Sequence, residues 1–356
     1  MEPGRTVLVL SNAGRAGKSA PGGLGEAPDP RLLVDGLARH GFAALVEKLN
    51  GLPLNPLAGR GTFYAGFDVV RALRVLLFRR DVDVVVSIGE SNIAIILLLA
   101  KLLRFRPPIV LREISARGWA RRDRIVDYVL PRVARVMTLT PHQTQWAAHN
   151  WALRSPPDLV GFAIDERFFR PGQSQDGNYI LAVGDDDGRD YGCLVEACRH
   201  TPYRLILRTD SKPPVPPDMA DRVTLLGRLS YSALRDLYDA ASIVVVPLRE
   251  VDHPSGITSL YEGMAMGRPV VASDVGSARH IVTDGTNGVL VPADQPAALR
   301  AALIRLMDDE ALRARLGRNA RTTIEGPFSY SAYVDRFAAS LRSVVESGIA
   351  AGGTRS

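Results

Sequence analysis

Short apolar runs rich in β-branched residues recur along nearly the whole chain, most of them followed by a segment long enough for a helix. They read TVLVL, DVDVVVSIG, PPIVLRE, RVMTLT, YILAVG, YRLILRT, RVTLLG, ASIVVVPL and RPVVASD. Strands that are apolar on both faces belong in a parallel sheet covered on each side, whereas a sheet with one wet face would alternate. Residues 31–40, 91–103, 191–200, 231–241 and 255–266 have the length and patterning of crossover helices. The succession implies α/β architecture in two Rossmann-like units, with ligands expected outside the carboxyl ends of the strands and in a cleft that the two units face.

A length of 356 residues fits two domains of ~100 to 200 residues each. With 46% hydrophobic and 23% charged residues, the chain is neither disordered nor of low complexity. Cys193 and Cys198 are its two cysteines, too few for a disulfide framework or a zinc cluster, which fits a reducing cytoplasm. The first apolar run is too short for a secretory signal. The most apolar later stretch, 93–100, falls well short of the ~20 residues needed to span lipid and reads as a buried helix.

The pattern lapses at GFAIDERFFRPGQ, 161–173, and again at GPFS, 326–329. These breaks predict an N-terminal unit over 1–165, a C-terminal unit over 166–329, a last helix over 330–347 and a disordered tail over 348–356. Residues 1–165 hold 22 Lys and Arg against 14 Asp and Glu, so the basic surplus is N-terminal. It is readable as a solvated surface or as a contact for anionic lipid or a phosphorylated acceptor; nucleic acid is not expected, because no binding motif accompanies it.

The segment HPSGITSLYEGMAMGRPVVASDVGS, 253–277, is the most informative. Its Ser-Gly pair opens an apolar helix that stops at Gly267-Arg268-Pro269, directly before another strand. Free N–H groups of Gly256, Ile257 and Thr258 beside Ser255, with the positive end of the helix dipole, suit a phosphate or diphosphate. Glu262, about two turns on, can accept hydrogen bonds from sugar hydroxyls. A plain strand-turn-helix with a capping serine and a surface glutamate is the competing reading.

The run from Val223 to Ala302, including YEGMAMGRPVVASDVGS and IVTDGTNGVLVPADQPAALRAAL, resembles the donor half of retaining family-4 glycosyltransferases of the GT-B fold. GFAIDERFFRP resembles their interdomain segment, and YILAVGDDDGRDYGCLVEA their first C-domain strand and helix. The resemblance covers roughly 160–325; the first 150 residues match in strand order and in Gly22-Gly23. It implies a nucleoside-diphosphate sugar donor, no cofactor, and a hydroxyl acceptor that is a small molecule, a lipid-linked sugar or a glycan.

Glu262 then corresponds to the second glutamate of the E-x7-E motif, the one on the nucleotide ribose, while the first is replaced by Pro254. Backbone groups and His253 are left to bind the sugar, or donor choice differs, or activity is lost. Arg189 falls on the family's lysine at the diphosphate; the companion cation is replaced by Asp185 or its neighbours. Helix entry with Asp190 as partner is the structural alternative for Arg189. Gly227, Arg228 and Leu229 occupy the stretch whose main chain reads the base, and Gly22 and Gly23 match the glycine pair at the diphosphate, or simply a turn and a linker.

Glu113, after PPIVLRE, could orient or deprotonate the acceptor or pair with nearby arginines, and His142 caps or packs a helix. Asp185-Asp186-Asp187 could suit magnesium, but a solvated turn is the simpler expectation and no metal is assigned. GRAGKS has the wrong spacing for a P-loop, and Lys212 is the C-terminal half's lone lysine, in a loop where Schiff-base chemistry has no support. Two other readings stay open: a non-catalytic or partner-dependent relative, and a nucleotide-sugar epimerase.

Overall fold

The structure is a computed structural model that describes residues 5–10, 32–47, 69–79, 81–89, 91–100, 103–105, 107–112, 124–174, 176–251 and 253–352. The chain divides into two compact units. Among the described residues, those up to Gly161 and from Tyr333 onward form one, and Phe162 to Ala332 form the other.

The first unit carries β1 (Arg5–Leu10), β2 (Phe42–Glu47), β3 (Val84–Ile88), β4 (Ile109–Arg112), β5 (Arg135–Thr138) and β6 (Asp158–Leu159), in the order β2-β1-β3-β4-β5-β6. Every pairing is parallel. Helices Val69–Phe78, Ser91–Ala100 and Arg124–Val129 supply one buried cluster with Leu8, Leu10, Val85 and Leu111, which explains why these strands are apolar on both faces.

The second unit carries β7 (Tyr179–Val183), β8 (Arg204–Arg208), β9 (Val223–Leu226), β10 (Ile243–Val246), β11 (Val270–Ser273) and β12 (Val289–Val291), again all parallel. Their order is β12-β11-β10-β7-β8-β9. From β7 the chain builds outward to β9, then returns to β10 on the other side. β7 and β10 are therefore neighbours whose chains continue to opposite sides of the sheet, and their carboxyl ends mark the switch point at which doubly wound sheets bind ligands.

Each of the nine apolar runs is a strand. β2, β6 and β12 were not legible: FAALVE ends on a charge directly after a helix, and the other two are only two and three residues long. The segment 161–173 opens the second compact unit, which begins at Phe162. Phe168 and Phe169 are buried, Asp165 Oδ1 accepts the N–H groups of Arg167 and Phe168, and Phe162 meets the Tyr261 ring edge-on at 5.3 Å. Phe328 meets the same ring edge-on at 5.8 Å, and the second unit ends at Ala332.

The last helix runs Tyr330–Gly352, past the expected end at 347. It belongs largely to the first unit, where Arg336 donates to the Val160 carbonyl and Ser340 to Asp158.

Helix Glu310–Glu325 packs on helix Ile257–Ala265 through Gly317, where an added Cβ would fall on the Gly267 carbonyl oxygen. Because that neighbour is backbone and cannot swing away, Gly317→Ala is expected to lower stability by about 1–3 kcal/mol in urea denaturation, with secondary structure retained.

Candidate functional site

The loops after β7 and β10 are joined by main-chain bonds. Asp190 N–H donates to Pro247 O at 3.0 Å and Arg249 N–H to Gly188 O at 2.9 Å. Arg189 pairs with Leu248 in an isolated antiparallel bridge. Past this junction a tight turn has Ser255 N–H on the His253 carbonyl at 2.8 Å, and then Gly256 starts helix Ile257–Ala265 with φ 78°. A Cβ there would lie 2.8 Å from Leu248 and Val246 side-chain carbons, so glycine is required by conformation and by space. As N-cap it brings no side-chain oxygen to the first amides, whose N–H groups and dipole face the strand ends.

Arg189 lies against this helix end. Its side chain is 4% exposed, its Nε donates to Asp186 Oδ2 at 2.9 Å and its Nη2 to Ser259 Oγ at 2.8 Å in the first turn. Ser259 in turn donates to Val183 O at the end of β7. The guanidinium occupies the space a side chain at Gly184 would need, and Gly184 holds φ 149°. Arg189 Nη1 is buried without a hydrogen-bond partner. A cationic donor thus remains unsatisfied beside a positive helix end, an arrangement complementary to a dianionic group.

The aspartate-rich turn is not simply solvated. Asp185 pairs with Arg208 at 2.6 Å, Asp186 with Arg189, Asp187 with His253 Nε2 at 3.3 Å, and Asp190 with Arg249 at 3.2 Å. Arg189 therefore takes Asp186 as partner, not Asp190, which caps helix Tyr191–Cys198 by accepting Cys193 N–H. Asp186 also accepts from the Ser255 hydroxyl. Burial opposes its ionisation, but Arg189, Ser255 and His253 together hold its carboxyl below the ordinary range. Ligand atoms of Asp186, Asp187 and His253 lie within 4.8 Å of one another, close enough for a cation, although Arg189 and Ser255 already engage Asp186.

Glu262 is not a surface residue. It is 6% exposed, and its Oε2 accepts from Tyr238 OH at 2.9 Å. Burial raises its pKa from 4.5 to about 7, against the opposing pull of the Tyr238 hydroxyl and the charges of Arg189 and Arg208. Tyr238, on helix Tyr231–Asp239, carried no sequence signal as a partner.

The structure brings Arg189, His253, Ser255, Gly256, Ile257 and Thr258 together past the carboxyl ends of β7 and β10, with Glu262 in the same helix and within electrostatic reach of Arg189. Gly227, Arg228 and Leu229 follow β9, two strands out from β7 and so roughly 10 Å away at the usual strand spacing. Arg228 is exposed and faces Asp210 at 3.7 Å. Gly22, Gly23 and Glu113 lie outside the described residues. His142 is exposed and caps nothing; Thr140, in a capping box with Gln143, closes helix Pro141–Asn150. Arg208 is the side chain at this edge that sequence reasoning missed.

Residues 218–323 match the family described as glycosyl transferases group 1. Alpha-D-kanosaminyltransferase of Streptomyces kanamyceticus is 35% identical over 126 residues, covering 35% of this chain and 32% of that protein. D-inositol 3-phosphate glycosyltransferase 1 of Catenulispora acidiphila is 39% identical over 115 residues, 32% of this chain and 27% of that one. The chain thus spans about a third of the length of the curated relatives it matches. Among solved structures, sucrose-phosphate synthase from Thermosynechococcus elongatus aligns with TM-score 0.72 at 20% identity, over 96% of this chain and 100% of that one. Anabaena Alr3699/HepE, in complex with UDP and glucose, aligns with TM-score 0.66 at 15% identity, over 95% and 100%. The fold is that of these GT-B proteins, and its second unit carries the group 1 sequence pattern.

Because the Glu262 pKa is raised by folding, the group's stabilising contribution is fully present below about 4.5 and is lost as pH rises through about 7. Glu262→Gln removes that titration. Its Tm relative to the parent, measured without nucleotide, is expected to rise from pH 4.5 to pH 8; a constant difference would contradict the buried, protonatable carboxyl.

Proposed function

We propose that the protein is a glycosyltransferase that moves a sugar from a nucleoside-diphosphate sugar to a hydroxyl acceptor, with retention of anomeric configuration and without a metal ion. The observation that carries this reading is the glycine-capped end of helix Ile257–Ala265 beside buried Arg189, whose Nη1 has no partner. The group 1 match over 218–323 and fold neighbours bound to UDP or UDP-glucose support it.

In this reading the amides of Gly256, Ile257 and Thr258, together with Arg189, take the diphosphate. Glu262 accepts the ribose hydroxyls, the main chain at Gly227, Arg228 and Leu229 reads the base, and His253 faces the sugar. Gly22, Gly23 and Glu113 lie outside the described residues and keep the roles the family resemblance implies, the glycine pair at the diphosphate and Glu113 at the acceptor. The bond from the anomeric carbon to the phosphate oxygen breaks as the acceptor oxygen bonds that carbon on the same face. The acceptor proton passes to the departing diphosphate, whose growing charge the helix end and Arg189 stabilise. Arg189 and Ser255 engage Asp186, which favours a site organised by guanidinium rather than by a metal.

The acceptor is a small molecule, a lipid-linked sugar or a glycan, and nucleic acid is not a partner. Among the described residues no helix is long and apolar enough to cross a membrane. The low cysteine content supports a cytoplasmic protein, and the basic surplus of residues 1–165 supports peripheral contact with anionic lipid.

In a thermal-shift panel, one nucleoside diphosphate is expected to raise Tm as RT ln(1 + [L]/Kd) requires, and Glu262→Ala to weaken its affinity more than it perturbs folding. Equal affinity of mutant and parent would remove the ribose assignment. With the donor so identified, turnover is expected to survive EDTA and to give product of unchanged anomeric configuration by NMR; loss on chelation would overturn the metal-free mechanism.

A further inference from the structure

Two guanidinium groups converge on the end of β7. Arg189 lies over Gly184, and Arg208, the last residue of the neighbouring strand β8, reaches Asp185, one position further on. The sheet fixes this placement: Val183 pairs with Arg208 in register, and Gly184 N–H donates to the Arg208 carbonyl at 3.1 Å. The Arg208 side chain is 11% exposed. Its charge, with that of Arg189, acts on buried Glu262, so both cations lie within electrostatic reach of the same crevice.

The Asp185–Arg208 pair uses little of what an arginine offers. Nη1 donates to Asp185 Oδ2 at 2.6 Å, whereas Asp185 Oδ1 is taken by the Asp210 N–H at 2.5 Å. The fork-to-fork contact that makes an Arg–carboxylate pair strong is therefore not made. Nε and Nη2 of Arg208 take no acceptor among the described residues. Arg189 Nη1 is in the same condition. A diphosphate brings two or more negative charges to an edge where Asp185, Asp186, Asp187 and Asp190 already occupy the basic groups, so it must compete with a carboxylate for a cation.

We propose that Arg208 is a second diphosphate-binding residue, and that Asp185 is the carboxylate a phosphate oxygen displaces from its guanidinium. This rests on the nucleotide-sugar reading above and adds to it a residue from a different strand. Asp185 lowers diphosphate affinity by holding the cation, so its removal has the opposite sign to removal of Arg208.

The test is calorimetric titration of the full chain with UDP, GDP, ADP and dTDP, each beside its monophosphate, using the base the parent binds best. Arg208→Met is expected to weaken diphosphate binding about tenfold or more while monophosphate binding stays within about twofold; Arg208→Lys should retain part of the discrimination. Asp185→Asn is expected to tighten diphosphate binding a few-fold. If Arg208→Met and Asp185→Asn both lower Tm but leave the diphosphate-to-monophosphate ratio unchanged, the pair is a structural clasp and the proposal is overturned. If the parent prefers the diphosphate and Arg189→Met abolishes that preference while Arg208→Met does not, this proposal alone fails. A parent with no preference for any diphosphate sinks the nucleotide-sugar reading and this proposal with it. Should Arg208→Met not fold, Arg208→Lys and Asp185→Asn decide the question by the same ratio.

Discussion

The bond from Arg189 to Ser259 is the constraint on which the second unit's crevice depends. It ties the loop after β7 to the first turn of the helix after β10, across the switch point of the sheet. Burying a guanidinium costs several kcal/mol unless its donors are met, and here Asp186 and Ser259 meet two while Nη1 is left over. The surrounding residues follow from that choice. Gly184 has to lack a side chain because the guanidinium lies where one would be, Gly188 because Ser255 fills the corresponding space, and Gly256 because Leu248 and Val246 close on it. A positive helix end and a buried cation repel each other, so the arrangement is one that an anion relieves.

The helix is also fixed at its other end and on its flank. Arg321 Nη1 donates to the carbonyls of Glu166, Phe169 and Ala265, binding the C-terminal turn to the segment that enters the unit. Tyr261, one residue before Glu262, is held edge-on by Phe162 and Phe328 and lies 6.3 Å from His280, whose pKa burial lowers to about 4. Neutral His280 and the rings of Phe162 and Phe328 thus pack around Tyr261 on the helix that carries Glu262. The Glu262 carboxyl is itself buried, with Oε2 on the Tyr238 hydroxyl, and that burial raises its pKa.

What could be read from sequence was what is local. Continuous Val and Ile runs announce strands buried on both faces, and Ser255-Gly256 before an apolar stretch announces the helix start, because propensity and capping act within a few residues. The aspartates after β7 looked like a turn because only Asp186 has its partner nearby, in Arg189. Their partners are 23 positions away for Asp185, 59 for Asp190 and 66 for Asp187, and only the crossover of parallel strands brings those positions together. Arg208 was hidden for the same reason: RLILRT reads as a strand bracketed by charge, and the strand's direction alone decides that its last arginine ends at the ligand edge. Tyr238 lies on a helix face that would otherwise count as core.

Pro254, where the resemblance to the E-x7-E motif fails, has a structural consequence that explains its neighbours. With no N–H to offer and φ held near −65°, proline suits the centre of a three-residue turn, and here Ser255 N–H closes back on the His253 carbonyl around it at 2.8 Å. That turn sends the Ser255 hydroxyl to Asp186 and the His253 ring to Asp187. A flexible carboxylate has thus been exchanged for a rigid corner presenting an imidazole. If the sugar sits here, it meets a group that donates or accepts from fixed nitrogens in place of an anion that only accepts. On the proposed reading, selectivity among donors then turns on which sugar substituent a nitrogen at that corner can reach, while the contacts of Arg189 with Asp186 and Ser259 do not depend on position 254.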